Sequence, residues 1–302
     1  MPSLRETSPE LKEALEDNAL LVEKTIGRML PETSLVEAPL YDAMRYGTLG
    51  GGKRLRPFMV MQSSKLFGVD PARAKRVAAA IEMVHSYSLI HDDLPAMDNS
   101  DMRRGKLTVH RAYDEATAIL AGDGLLTMAF ELLSDKDTHE DPNVRCALVT
   151  SLAAAAGPQG MVGGQMLDLI GENEEFDLGT ISRLQRMKTG KLMAFACESG
   201  AILGKGGDNY RRALCSYAYD LGLAFQVTDD ILDVEADPSM TGKPANQDEK
   251  AGKATFVSTM GKEQARQRAE MLIEQAISHL GIFQGRAKMM EELAYYVLKR
   301  RA

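Results

Sequence analysis

Apolar residues in this chain recur at the three-to-four-residue interval of a helix: Leu11, Leu15, Ala19, Val22 and Ile26 form one stripe, and Val77, Ile81 and Val84, continued by Ser88, form another. Alternating, strand-like runs are scarce. Segments rich in Ala, Leu and Met over 108–133, 143–156, 177–204, 209–233 and 262–280 favour helix by propensity as well as by period. Between them the chain is punctuated at Gly50-Gly51-Gly52, Pro71, Pro142, Gly157-Pro158, Gly163-Gly164, Gly206-Gly207 and 237–244. Most of these gaps are short, and short connections make neighbouring helices antiparallel. The expected fold is all-α: one domain over 1–302, a bundle of about ten or more mostly antiparallel helices around a central cavity.

Composition narrows the class. Hydrophobic residues at 44% and charged residues at 26% exclude a disordered or fibrous chain. A net charge of -7 argues against nucleic acid or an anionic membrane surface as partner, so any basic cluster is local. Cys146, Cys197 and Cys215 are odd in number, lack metal-ligand spacing and follow no apolar signal segment, which makes a reducing cytoplasm the expected location. No apolar stretch comes near the ~20 residues that span a bilayer, so an integral membrane protein is not expected.

Two aspartate clusters stand out, Asp92-Asp93 with Asp98 and Asp229-Asp230 with Asp233, each following an apolar helical run. Asp229 and Asp233 share a helix face with Gly222 and Gln226, and unneutralised like charges at that spacing destabilise each other. On a regular helix Asp92 and Asp98 would point roughly 120° apart. Pro95 disfavours helical geometry at Leu94, which lets the chain leave the helix and bring Asp98 back toward Asp92. Upstream, His85, Ser88 and Asp92 make a polar stripe on a greasy helix, as expected where a helix lines a cavity. Alone, each cluster reads as a solvated helix end. Two of matching design point to hard divalent cations, such as Mg²⁺, that bind through one or two carboxylates and the phosphate oxygens of a substrate. Neither segment has the alternating acids and central glycine of a calcium loop.

Cations are grouped as well: Lys53, Arg54 and Arg56 follow the three glycines, and Arg103-Arg104-Gly105 follows the first acidic cluster. Such groups suit phosphate, Arg as a planar fork and Lys as a point charge. Lys188, Lys191, Lys243 and Lys253 add isolated charges beside Thr or Gly, where a solvated surface charge is the simpler reading of any single one. The polar stretch 237–250 directly follows the second acidic cluster, and its composition suits a lid and a solvated loop equally.

Gly51-Gly52-Lys53-Arg54-Leu55-Arg56-Pro57, His85 to Asp98 with Arg103-Arg104-Gly105, Gly163-Gly164-Gln165 with Asp168, Lys188-Thr189-Gly190-Lys191, and Gln226 to Asp233 resemble, in order, the motifs of trans-isoprenyl diphosphate synthases. The resemblance covers about 40–260 and implies the isoprenoid synthase fold, a homodimer, and Mg²⁺-dependent head-to-tail condensation of isopentenyl diphosphate with an allylic diphosphate. It implies that Asp92, Asp98 and Asp229 hold three Mg²⁺ ions on the allylic diphosphate, supported by Asp93, Asp230 and Asp233. Arg103, Lys188 and Lys243 would grip the same diphosphate. Lys53, Arg56, His85 and Arg104 would bind isopentenyl diphosphate, and Lys253 would fix the lid and the allylic phosphate. Gln165 and Asp168 would orient the basic groups, while Thr189, Gln226 and the Lys188 carbonyl would face the reacting carbon. Tyr87, five positions before Asp92, matches the aromatic position of members that make a C15 product, with Ser88 beside it. C20 and C10 products are the alternatives. A terpene cyclase would lack Lys53, Arg56 and Arg104, and a non-catalytic synthase subunit would have lost acidic ligands; this chain has both sets. Asn99-Ser100-Asp101 departs from a more acidic run, and the basic tail from Lys299 reads as a solvated helix end.

Overall fold

A computed structural model describes residues 8–235 and 255–299, and over them the protein is an all-α bundle. The first helices are α1 (Pro9–Met29), α2 (Ala38–Thr48), α3 (Leu55–Leu66) and α4 (Pro71–Asp92). Pro71 and Pro142 do not interrupt helices but start them: each takes the first helical position behind an aspartate, Asp70 or Asp141, whose side chain accepts a backbone N–H of the first turn. Ser8 caps α1 in the same way. After α4 come a two-stranded antiparallel hairpin, Met102–Arg103 with Lys106–Leu107, then α5 (Val109–Ala112), α6 (Glu115–Ser134), α7 (Pro142–Ala156) and α8 (Met161–Gly171). The rest of the described chain is α9 (Leu178–Gln185), a π-helical turn (Arg186–Gly190), α10 (Lys191–Leu203), α11 (Asp208–Glu235), α12 (Phe256–Met260), α13 (Lys262–His279) and α14 (Lys288–Lys299).

Three stretches are buried all round and form the centre: Pro57 to Ser64 of α3, Val77 to Val84 of α4, and Leu192 to Cys197 of α10. α3 packs on α4 and α10, α4 on α6, and α11 on α10 and α13. Phe58, Met83, Phe195 and Tyr217 lie within this core. The Tyr217 hydroxyl is satisfied by donating to the Met290 carbonyl at 2.7 Å, which ties α11 to α14.

The observed elements correct four expectations. The segment 108–133 is two helices, because Asp114 leaves helical geometry to cap α6 through the Thr117 amide. Gly163 and Gly164 do not break a helix; they lie inside α8. A Cβ on Gly164 would stand 2.3 Å from the Lys188 amide nitrogen, so glycine is what allows α8 to touch the π turn. The run 177–204 contains that turn in place of uninterrupted α-helix. Finally, two described segments, Glu115–Ser134 and Pro142–Gly171, are long and apolar enough to cross a membrane by length and composition. In this structure α6 packs instead on α4 and α2, with Ile119 and Leu120 exposed.

Gly164→Ala is therefore expected to destabilise the protein by about 1–3 kcal/mol, the usual cost of overpacking. Urea unfolding measures it, and an unchanged midpoint would contradict the close crossing.

Candidate active site

The first acidic cluster sits where α4 runs out. Asp93 caps the helix, and a turn through Pro95 returns the Asp98 amide to the Asp92 carbonyl at 2.8 Å. This is the fold-back expected from Pro95, and it leaves Asp92 half-buried with Asp98 exposed. Burial raises the Asp92 carboxyl to about 6, opposed by Lys188 and Arg103 and reinforced by Asp98 and Asp93. Asp93 does not face the opening. It is buried and takes a fork from Arg103, with Nε at 3.0 and 2.9 Å and Nη2 at 2.8 Å. Arg103 is thus already oriented by a carboxylate while its remaining surface is free to meet an anion.

Across the site, the last two turns of α11 carry Gln226, Asp229 and Asp233, all half-buried. Asp230 is buried and accepts the Phe256 amide at 2.8 Å, which ties α12 to α11. Among the described residues no three His, Cys, Asp or Glu side chains converge into a preformed metal centre. The carboxylates of Asp92, Asp98 and Asp229 are hard oxygen donors of the kind Mg²⁺ takes, one or two at a time, with substrate phosphates and water completing its shell. The raised Asp92 carboxyl, crowded by two like charges, is a donor whose ionised form a cation would favour.

Between the two clusters lies the π turn, a distortion frequent at functional sites. It points Lys188 at Asp168 of α8, 2.6 Å away, and at Asp92, whose carboxyl it lowers. Thr189 is buried and donates to the Gln226 Oε1 at 3.1 Å. A cavity of about 190 Å³ opens here, lined by Asp168, Lys188, Thr189, Gln226, Asp230 and Thr255. Both polar atoms of the Gln165 amide are buried without a hydrogen-bond partner among the described residues. On the outer side the Arg186 guanidinium carbon lies 4.2 Å from the centre of the Tyr219 ring, bracing the turn.

The basic residues gather around His85, about two turns before Asp92 on the same face of α4. Gly51 and Gly52 have φ of 86° and 129°, and a Cβ on Gly52 would collide with the Arg104 guanidinium, which donates to the Gly51 carbonyl. Arg104 and Gly105 form the hairpin turn with both φ positive, a strained conformation for Arg that aims it at the glycine loop. Arg56 Nη1 is 3.4 Å from His85 Nε2. Burial, then the charges of Arg56 and Arg104, hold the His85 imidazole well below its ordinary range, so it stays neutral and can accept from Arg56. Lys53 is exposed, 5.9 Å above the Tyr296 ring centre. Tyr87 is buried and stands edge-on to His91 at 5.5 Å, while the Ser88 hydroxyl donates to the His85 carbonyl. Lys243, Lys253 and the expected lid at 237–250 lie outside the described residues.

Arg54 departs from the cationic set read from sequence. It is buried, with its guanidinium on Glu82 at 2.5 Å, Glu23 at 3.1 Å and the Thr48 carbonyl at 2.6 Å. Removing one partner of such a buried pair costs about 3–5 kcal/mol. Glu82 was not singled out by sequence, although an acid three residues before His85 on a buried helix was the available signal.

Carboxylates at two helix ends, beside a group of cationic side chains, make a site whose donors suit a cation in one part and an anion in the other. Residues 37–290 match the polyprenyl synthetase family. The chain is 44% identical to the farnesyl diphosphate synthase of Escherichia coli, covering 92% of this chain and 94% of that one. It is 43% identical to the farnesyl diphosphate synthase of Geobacillus stearothermophilus, over 89% and 91%. A solved apo structure from Zymomonas mobilis, described as an FPP/GFPP synthase, superposes with a TM-score of 0.88 at 46% identity, covering 96% of this chain and 99% of that chain. The chain belongs to the polyprenyl synthetase family.

The depressed His85 pKa sets a pH signature. An unfolded His protonates near ~6.5, so the neutral, buried form favours folding above that pH, and this contribution is lost as pH falls below it toward the folded value. Nitrogen-detected NMR of the imidazoles is expected to show His85 neutral at pH 6, whereas a midpoint in the ordinary range would contradict its burial among arginines.

Proposed function

We propose that the protein is a Mg²⁺-dependent prenyltransferase that condenses isopentenyl diphosphate with dimethylallyl diphosphate and then with geranyl diphosphate, releasing diphosphate and farnesyl diphosphate. The observation that supports this reading is the order of groups along one face of α4: a carboxylate cluster where the helix ends and, about two turns earlier, His85 beside the cationic residues Arg56 and Arg104. The names borne by its relatives support the same chemistry.

Mg²⁺ ions held by Asp92, Asp98 and Asp229 would supply the positive charge that makes diphosphate a good leaving group. Lys188 and Arg103, each fixed by an aspartate, meet the phosphate oxygens as the allylic carbon–oxygen bond breaks and its electron pair leaves with them. Lys243 and Lys253 are assigned to the same anion by resemblance. The carbocation left behind faces Thr189 and Gln226, whose paired neutral dipoles and the Lys188 carbonyl stabilise it without donating a nucleophile. Lys53, Arg56, Arg104 and neutral His85 hold isopentenyl diphosphate so that its double bond supplies the electrons of the new carbon–carbon bond. Released diphosphate takes the departing proton, so His85 serves in binding. Asp168 of α8 orients Lys188, and Gln165 is assigned to the same task by resemblance. Asp233 supports the metal ligands of α11.

Tyr87 is buried on α4 five positions before Asp92, and by resemblance its ring limits the product to C15. A second copy of the chain would cover the exposed Ile119 and Leu120 of the apolar helix α6, which supports a homodimer as the working unit; a cytoplasmic location rests on the cysteine pattern of the sequence. The whole chain, 1–302, acts as one domain.

Protein supplied with Mg²⁺, isopentenyl diphosphate and geranyl diphosphate is expected to form farnesyl diphosphate, read by chromatography, and to lose that activity in a chelator. Metal-independent or absent condensation would overturn the reading. Asp92→Asn is expected to lower kcat by about 10²–10³-fold, the scale of losing a group that stabilises transition-state charge. Tyr87→Ala is expected to lengthen the product beyond C15; an unchanged product would remove Tyr87 as the limit.

A further inference from the structure

The cationic pocket has an internal counter-charge that the reaction itself does not use. Glu82 is 2% exposed on α4, one turn before His85, and its carboxylate meets Arg54. Arg54 in turn reaches back to the Thr48 carbonyl at the end of α2 and to Glu23 of α1. Its own backbone is left-handed, with φ of 47°, and its carbonyl accepts from the Phe58 amide and the Asn18 side chain. One side chain therefore clamps both ends of the glycine loop, from Thr48 before it to Arg54 after it. The loop carries Lys53 and offers the Gly51 carbonyl to Arg104, and Arg56 begins the helix that follows.

We propose that Glu82, acting through Arg54, is the positioning residue of the isopentenyl diphosphate pocket: it fixes the loop's shape and offsets the mutual repulsion of the arginines before substrate arrives. The inference rests on the assignment of Lys53, Arg56 and Arg104 to isopentenyl diphosphate. Three features support it independently of any titration: the 2.5 Å contact, the burial of both partners, and the link from that contact to both loop ends. The electrostatics agree, since Glu82 favours the charged form of both Arg56 and Arg104, whereas burial and neighbouring arginines oppose it. A pocket with this counter-charge is preorganised to exchange water for diphosphate without rebuilding the loop. The allylic site, at the end of α4, has its own fixed pairs in Arg103–Asp93 and Lys188–Asp168, neither of which includes Glu82.

The test is Glu82→Gln in the full chain, with steady-state kinetics varying each substrate separately and thermal unfolding measured alongside. KM for isopentenyl diphosphate is expected to rise about 10-fold or more, the usual scale for groups that orient a binding set, while kcat and the allylic KM stay within about 2-fold. A lowered melting temperature with both KM values unchanged, or an equal rise in both, would overturn the proposal in favour of a purely structural ion pair. Should Glu82→Gln not fold, Glu23→Gln decides, because it removes a partly exposed partner of the same guanidinium. A selective rise of about 2- to 3-fold in the isopentenyl KM supports positioning, and no change overturns it. If the wild-type protein condenses nothing, the functional reading fails separately. Calorimetry with inorganic diphosphate in the absence of Mg²⁺ then compares wild type with the variant: about 10-fold weaker binding supports positioning, and equal binding overturns it.

Discussion

Burial and two neighbouring carboxylates raise Asp92 to about 6, so the charge it needs for binding a cation is opposed by its own surroundings until that cation arrives. The fold around it follows from this constraint. α4 ends at Asp92, placing the carboxylate at the negative end of a helix dipole, and the Pro95 turn adds Asp98 to the same edge. The π turn supplies the counterweight, because it aims Lys188 into the space between Asp168 and Asp92, and that turn exists only where Gly164 lets α8 approach. Acid and base are held apart at fixed positions, ready for a ligand carrying both metal and phosphate.

The same helix carries two kinds of binding group along one face, carboxylates at its end and His85 with its arginines about two turns earlier. In the acidic part the protein offers oxygen donors and relies on an added cation. In the other it offers guanidinium and ammonium groups directly, and the buried Glu82–Arg54 pair keeps them in shape. Neutral His85, accepting from Arg56, extends that order without adding charge to an already crowded pocket. Such asymmetry suits a reaction in which one diphosphate must leave and the other must stay attached.

Much of this was legible in the chain. Periodicity gave the helical class, and spacing gave the return of Asp98 through Pro95 and the shared face of Gln226 and Asp229. The rest depended on contacts that no local pattern encodes. Gly163-Gly164 reads as a break, but what it marks is a close crossing with residues far along the chain. Arg54 looks like its neighbours Lys53 and Arg56, and only its own burial beside buried Glu82 and half-buried Glu23 shows that its charge is spent internally. Asp93 and Asp230 belong to the acidic clusters by sequence, and contacts outside those clusters add to what they do: Asp93 orients Arg103, and Asp230, which lines the cavity, also holds the start of α12. α6 is apolar enough to pass for a membrane span, and its packing on α4 shows how a helix of that composition serves inside a bundle.

The central claim is that two diphosphates are held by different physical means, one through metal and one without it. Calorimetric titration of a non-ionisable allylic diphosphate analogue and of isopentenyl diphosphate, each with Mg²⁺ and with a chelator, tests this directly. The allylic analogue is expected to bind only when Mg²⁺ is present, and isopentenyl diphosphate to bind in both conditions. Equal metal dependence for the two ligands would contradict the account.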